Sequence, residues 1–500
     1  MRRKYFYEVL LQNSDNIISI YDVVAFCYQY ITTNIDNQIL FIGEYIEHND
    51  NNQNNPNLEL LANFADRIKK HIANYHGMCS LRYMDSVFLE IVKSTEDLLQ
   101  KYGKHKYNHA TICYFLIQGI DLFLQQYSVI TRESGPLNKY CIDKYMVFLN
   151  ARGHFSEDME VEKEYPDVIK ANDIRSDFSR IIIVERKELP EKCKTIRMVP
   201  LQMDVNEIAN SRRIKMALIP VSGCELVNFD LSKGSTFIVE YDENKILQIG
   251  NKIIELLNTA IDNGANIIVF PEYVCEERIR KIISDELKEK YYKDDTKSKN
   301  LLLVVAGSGW SEDSNNVSYI FNRKGDLIGR KYKYSAFHKT MENKQLLERL
   351  NNPGEEITLI SMDKLGIAQI EICRDISDEE VSKKTAKLFG TQFLIVPAWS
   401  ASIDIAFVEQ LNSIISSTHR TVAIVCNACD AISDCKKKKL GVVMVPQKGK
   451  SSISGRKEYI NIDKRCMNCK KANCVYFCDI DILNHGETDV NISIEKAYLK

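Results

Sequence analysis

Between residues 213 and 480 the chain alternates short, almost wholly apolar runs with longer stretches of helical period. This rhythm constrains the fold more than any other feature. The runs RIKMALIPV (213–221), IIVF (267–270), LLLVVAG (301–307), GIAQIEI (366–372), TQFLIVPAWS (391–400) and TVAIVCNA (421–428) each read as a buried strand. Between them, NKILQIGNKIIELLNTAIDNGA, CEERIRKIISDELKEKYY, SDEEVSKKTAKLFG and DIAFVEQLNSIISSTHR repeat apolar residues every three or four positions. Gly264 and Gly390 stand where two of these helices should end. Strands alternating with helices predict an α/β architecture. VSYIFNRKGDLIGRKYKY predicts a hairpin turning near Lys324-Gly325. GVVMVP and CVYFCDIDI supply closing strands, and KQLLERL predicts a short helix before Pro353-Gly354.

Three of these stretches carry chemistry. IIVFPE ends at Pro271, which leaves Glu272 just past the carboxyl end of a strand, where ligands of open α/β folds bind. A carboxylate there can take a thiol proton if an apolar surround raises its pKa, although a solvated loop acid is the usual fate of Glu. GDLIGRKYKYSAFHK (325–339) is a strand with three cations, Arg330, Lys331 and Lys333. A lysine held over a reacting carbon stabilises an oxyanion, whereas a solvated basic strand is the ordinary alternative. GIAQIEICRD (366–375) places Cys373 at the mouth of a buried strand, on a turn. A turn exposes sulfur while the strand fixes its position, although most free cysteines are simply packed.

Together and in this order, the three stretches resemble the nitrilase, or carbon–nitrogen hydrolase, superfamily over roughly residues 212 to 485. The strand-Pro-Glu motif matches IIVFPE and gives Glu272. The lysine four positions after a Gly matches GRKYK, with Gly329 and Lys333. The G-x-x-I-C-x-D motif matches the Cys373 stretch, with Asp375 and Glu380 following. The resemblance implies a four-layer α-β-β-α sandwich and a Glu–Lys–Cys triad hydrolysing a small amide or nitrile without a cofactor. It also implies a second glutamate before the cysteine strand, Glu348 or, with a slipped alignment, Glu342. Substrate-pocket residues would follow a later strand, at Ala398, Trp399 and Ser400. Arg374 stands where many relatives carry Tyr or Trp. It places a cation and a backbone N–H beside the nucleophile, suited to a substrate carboxylate and an oxyanion. Family members tend to form homo-oligomers, dimers or larger. A glutaminase passing ammonia to a partner is one alternative, although no nucleotide-binding P-loop accompanies it. An oligomerising or partner-binding module, as in bacterial antiviral defence proteins that carry a nitrilase-like domain, is another.

Residues 1–180 predict a separate, mainly helical region. YEVLLQ, SIYDVVAFCYQYI, ELLANFADRIKKHIANY, DSVFLEIVKSTEDLLQKY and ATICYFLIQGIDLFLQQY carry the apolar spacing. The Asn-rich stretch 47–57 reads as an exposed loop. RYMDS (82–86) lacks the second acid of a polymerase metal site and reads as coincidence. Sensing, oligomerisation and partner binding are the roles open to this region. Residues 181–211 form a connecting segment containing the strand RIIIVE, and 486–500 a tail. A formal charge of −2 gives no nucleic-acid signature. No apolar run has the length of a membrane span, and the basic start has no signal-peptide core. Fifteen cysteines then point to reduced thiols in a cytoplasm. Cys466, Cys469, Cys474 and Cys478 have spacing compatible with a structural zinc site, as do Cys466 and Cys469 paired with Cys426 and Cys429. Packed core thiols are the competing reading.

Overall fold

The computed structural model describes residues 6–12, 20–33, 62–68, 70, 86–102, 109–126, 140–142, 145–149, 181–193, 195–201, 208, 213–221, 227–230, 236–293, 299–311, 315–341, 344–351, 353–362, 365–429, 439–448, 453–461, 474–481 and 492–498. These fall into two compact units that divide between Leu189 and Pro190.

The first unit is mainly helical, as its spacing predicts. Helices run over Phe6–Gln12, Ile20–Thr33, Ser86–Tyr102 and His109–Gln126, and residues 62–68 are also helical. Their apolar faces meet in a core that includes Phe6, Val24, Phe64, Val92 and Phe115. Buried Glu96 caps the first helix from a distance, accepting the N–H groups of Phe6 at 2.9 Å and Tyr7 at 3.2 Å. Those donors have no partner within their own helix. The unit also contains an antiparallel sheet of β1 (Tyr140–Ile142), β2 (Tyr145–Leu149) and β3 (Ile181–Glu185). Of its strands, only β3 is legible beforehand, as RIIIVE.

The second unit supplies β4 (Thr195–Leu201), β5 (Arg213–Leu218), β6 (Val227–Asp230), β7 (Thr236–Tyr241), β8 (Ile267–Val269) and β9 (Leu303–Trp310). It continues with β10 (Asn316–Asn322), β11 (Leu327–Tyr332), β12 (His338–Met341), β13 (Lys344–Glu348), β14 (Glu356–Met362) and β15 (Gly366–Ile370). Then come β16 (Thr391–Ala398), β17 (Val422–Asn427), β18 (Lys439–Lys448), β19 (Ile453–Asn461), β20 (Cys474–Asp481) and β21 (Ile492–Tyr498). One sheet has the order β11-β10-β9-β8-β5-β20-β21 and a second β19-β18-β17-β16-β15-β14-β4. A smaller sheet runs β12-β13-β7-β6. Strand β4 precedes residue 212 and β21 follows residue 485, and both are hydrogen-bonded into the large sheets. Pro200 fits β4 because β4 is an edge strand.

The layers follow from which residues pack together. Met216, Val269 and Val305 of the first sheet share a core with Ile370, Ile395 and Ile424 of the second, so the two sheets face each other. The other face of the first sheet is covered by helices Glu243–Asp262 and Glu277–Lys293. The other face of the second packs on Ala386 of helix Ser382–Phe389 and on Leu411 and Ile415 of helix Glu409–Thr418. This is an α-β-β-α sandwich, the architecture the sequence implies. Helix Glu243–Asp262 gives way to Gly264 at φ 76°, and helix Ser382–Phe389 to Gly390 at φ 58°. The β10–β11 hairpin turns at Gly325.

One element departs from the sequence expectation. KQLLERL is not a helix: Lys344–Glu348 is β13, antiparallel to β12 and parallel to β7. A stretch this short cannot offset helix nucleation by itself, whereas two flanking strands supply its backbone hydrogen bonds.

Candidate active site

Glu272 stands just beyond β8, on a turn where Tyr273 adopts φ 63°. Gly307 makes this turn possible. A Cβ there would sit 2.0 Å from the Pro271 carbonyl, and Gly307 itself has φ 72°. Cys373 opens the short helical turn Cys373–Ser377 at φ 46°. A non-glycine residue in this region is strained and is held there by its surroundings. Lys333 follows β11 directly, and Glu348 ends β13.

These residues converge. Lys333 Nζ donates to Glu272 Oε1 at 2.7 Å and to Glu348 Oε2 at 2.7 Å, with all three side chains buried. Asn316 Nδ2 bridges the same acids, at 2.9 Å to Glu272 Oε1 and 3.0 Å to Glu348 Oε1. Tyr273 donates its hydroxyl to Glu348 Oε1 at 2.9 Å, and the Phe337 N–H donates to Glu348 Oε2 at 2.9 Å. The Cys373 thiol donates to the Trp399 carbonyl at 3.9 Å and lies close enough to the Glu272 carboxylate to sense its charge. Glu348 is thereby fixed by several donors, while Glu272 faces both the lysine and the thiol.

The electrostatics follow from burial. Burial lifts the Glu272 carboxyl above its ordinary value; the Lys333 charge pulls it down and the Glu348 charge pushes it up. Burial pushes the Cys373 thiol well above its ordinary value, the Glu272 charge adds to this, and Lys333 opposes it. Burial works against charge on Lys333, but the two carboxylates outweigh it and hold the ammonium protonated. The resting arrangement is a neutral thiol facing a carboxylate of raised basicity beside a fixed cation.

The remaining expected residues spread around this centre. Arg374 is exposed, one position beyond the cysteine. Ala398 is buried at the end of β16, and its carbonyl accepts the Glu272 N–H at 3.3 Å. The Trp399 ring is half-buried and meets Tyr273 edge-on at 5.9 Å and Phe337 at 6.4 Å. Ser400 donates its N–H to Asn427 Oδ1 at 2.8 Å and its hydroxyl to the Ser402 carbonyl at 3.1 Å, which engages it in holding the loop. Glu342, Cys466 and Cys469 lie outside the described residues. Cys474, Cys478 and Cys426 pack in the core between the sheets, and burial pushes the Cys478 thiol up to about 12. Among the described residues no group of three or more His, Cys, Asp and Glu is disposed to hold a metal.

Sequence reasoning misses Asn316 and Tyr273. An Asn at the start of a strand carries no motif, and its role depends on β10 lying beside β11. It also undervalues Lys331. This lysine, within β11, is buried, with Nζ 3.5 Å from Glu371 Oε2 and 3.8 Å from Asp375 Oδ2. Asp375 in turn accepts the N–H groups of Tyr334 at 3.1 Å, Ser335 at 2.8 Å and Ile372 at 3.3 Å.

No protein-family model matches the chain, and no curated protein matches it. Among solved structures it is similar to Nit3 of Saccharomyces cerevisiae, a member of branch 10 of the nitrilase superfamily, at 16% identity and a TM-score of 0.32. That match covers 49% of this chain and 89% of Nit3. It is similar to the NitFhit protein of C. elegans at 13% identity and a TM-score of 0.33, covering 50% of this chain and 61% of that one. A double mutant of the amidase from Nesterenkonia sp. AN1, in complex with acrylamide, matches at 10% identity and a TM-score of 0.33 over 49% of this chain and 91% of the amidase.

Proposed function

We propose that the chain hydrolyses a non-peptide carbon–nitrogen bond in a small amide through a thioester on Cys373. The observation that carries this reading is the convergence of a strained cysteine, a buried glutamate whose charge acts on its thiol, and a lysine shared between two buried carboxylates.

Each group has a task. Glu272 takes the thiol proton as Sγ attacks the carbonyl carbon. The carbonyl π pair moves to oxygen, and the Lys333 ammonium and the Arg374 N–H stabilise the resulting anion. Collapse breaks the C–N bond as Glu272 returns its proton to the departing nitrogen. Ammonia or an amine leaves, and a thioester remains. Glu272 then takes a proton from water as its oxygen attacks, and collapse releases a carboxylic acid and the reprotonated thiol. Glu348, fixed by Tyr273, Asn316 and the Phe337 N–H, holds Lys333 in place. Covalent catalysis divides one difficult cleavage into two easier ones. Trp399, Phe337 and Tyr273 supply an aromatic wall suited to a small apolar acyl group.

The test is ammonia release from a panel of simple amides, nitriles and carbamoyl amino acids. Release is expected from wild type, none from Cys373→Ala, and a rate about a thousandfold lower from Glu272→Gln, in the range a general base contributes. Equal release by wild type and Cys373→Ala would overturn the reading.

A further inference from the structure

The mechanism uses Lys333 but not Lys331, two positions earlier, within β11. Lys331 is 1% exposed, and its Nζ makes no hydrogen bond. It lies between the carboxylates of Glu371 and Asp375 and 4.0 Å from the centre of the Tyr334 ring. Both acids are fully buried, and Glu371 Oε2 also has no hydrogen-bond donor. As a stabilising device this is poor, because a buried ion cluster without good hydrogen bonds does not recover its desolvation cost. Its position gives it another use. Asp375 joins two segments: Oδ2 takes the N–H of Ile372, just before the nucleophile, and Oδ1 takes those of Tyr334 and Ser335, just after Lys333. The Tyr334 hydroxyl adds a bond of 3.0 Å to the Asp375 carbonyl. A carboxylate accepts at both oxygens, whereas its protonated form must turn one oxygen into a donor, and no acceptor faces it among these three N–H groups.

We propose that Lys331 is a positioning residue for the nucleophile: set between Glu371 and Asp375, it keeps the Asp375 staple ionised and so locks the Cys373 turn to the segment that carries Lys333. The inference rests on Cys373 being the nucleophile. The groups around Asp375 set the direction of its pH dependence. Its carboxyl stands at about 7: burial raises it, Lys331 and, more weakly, Lys333 lower it, and Glu371 raises it further. Tyr334 lies beside it, and Cys193 approaches Lys331 and Glu371 from the segment ahead of β4. Removing Lys331 therefore moves the acid limb of Cys373 reactivity to higher pH, and removing the Glu371 charge moves it lower.

The experiment measures iodoacetamide alkylation of Cys373 against pH, read on the Cys373 peptide by mass spectrometry, alongside kcat and KM for an amide. For Lys331→Met the acid limb is expected about one to three units higher, the shift that a neighbouring charge produces. Its kcat at pH 7 should fall about tenfold or more while KM stays nearly constant. Glu371→Gln should move the limb lower, and Lys331→Met with Glu371→Gln should return it toward wild type, which a merely structural loss would not do. Superimposable alkylation profiles, or a double variant as impaired as Lys331→Met, would overturn the proposal. If Lys331→Met fails to fold, Glu371→Gln decides: a lowered limb supports the staple and an unmoved limb refutes it. If wild type turns over no amide, the hydrolase reading fails, yet the alkylation profiles still judge Lys331.

Discussion

Lys331, within β11, and Lys333, just beyond it, lie two residues apart, both are buried, and each lies between two buried acids. Their environments nevertheless differ. Lys333 is gripped by hydrogen bonds of 2.7 Å to both acids, and one of those acids reaches the cysteine. Lys331 stands 3.5 and 3.8 Å from its acids without a hydrogen bond. Directional bonds fix an ammonium where a reaction needs a donor at one point in space. A field without directional bonds suffices where only the ionisation of a neighbour must be controlled. Composition and spacing are the same for the two lysines, so their roles diverge only through what the facing elements bring.

The comparison is broken most severely by Lys333→Met. Two carboxylates are then left buried against each other, and unfolding free energy in urea at pH 8 is expected to fall by about 3–5 kcal/mol, the cost of leaving a buried charge unpaired. Lys331→Met should cost less, because no hydrogen bond is lost and Asp375, at about 7, can take up a proton. Equal losses for the two lysines would remove the distinction. A finer probe is Asn316→Leu, which deletes the donor shared by Glu272 and Glu348 while leaving Lys333. A hydrogen bond to a charged group contributes about 1.5–3 kcal/mol, so kcat should fall about tenfold to a hundredfold. An unchanged kcat would show that Lys333 alone orients the two acids. The smallest effect is expected at the rim, where Lys192 reaches Asp378 at 2.6 Å beyond the Cys373 turn. Lys192 is 62% exposed, so Lys192→Ala should change stability by less than about 1 kcal/mol, and less still in high salt. A larger loss would mean that the segment entering β4 helps to hold that turn.

How much of this was legible differs from element to element. Apolar runs such as Ile267–Phe270 and Thr391–Ala398 are strands because nothing else accommodates so short and so apolar a segment. The GRKYK stretch is less transparent. Sequence marks three cations, but solvated and buried lysines have the same letters, and only the elements that bring Glu371 and Asp375 to Lys331 and Glu272 and Glu348 to Lys333 bury these two while leaving Arg330 exposed. Lys344–Glu348 was misread because its partners, β12 and β7, are elsewhere in the chain, and pairing rather than propensity decides a short segment. Asn316 carried no signal at all.

By itself the sequence determined the alternation of strands and helices, the turns at Gly325 and Gly390, and the identity of Glu272, Lys333 and Cys373 as the residues worth watching. Those features are local: periodicity, the φ that glycine permits, and the reactive types that stand at strand ends. Only the tertiary structure decided which acids face which lysine, that Glu348 turns inward from a strand rather than a helix, and that Asp375 ties the Cys373 turn to the segment just after Lys333. The reason is that burial and Coulomb interaction depend on distances between segments far apart in the chain, and no local pattern encodes those distances.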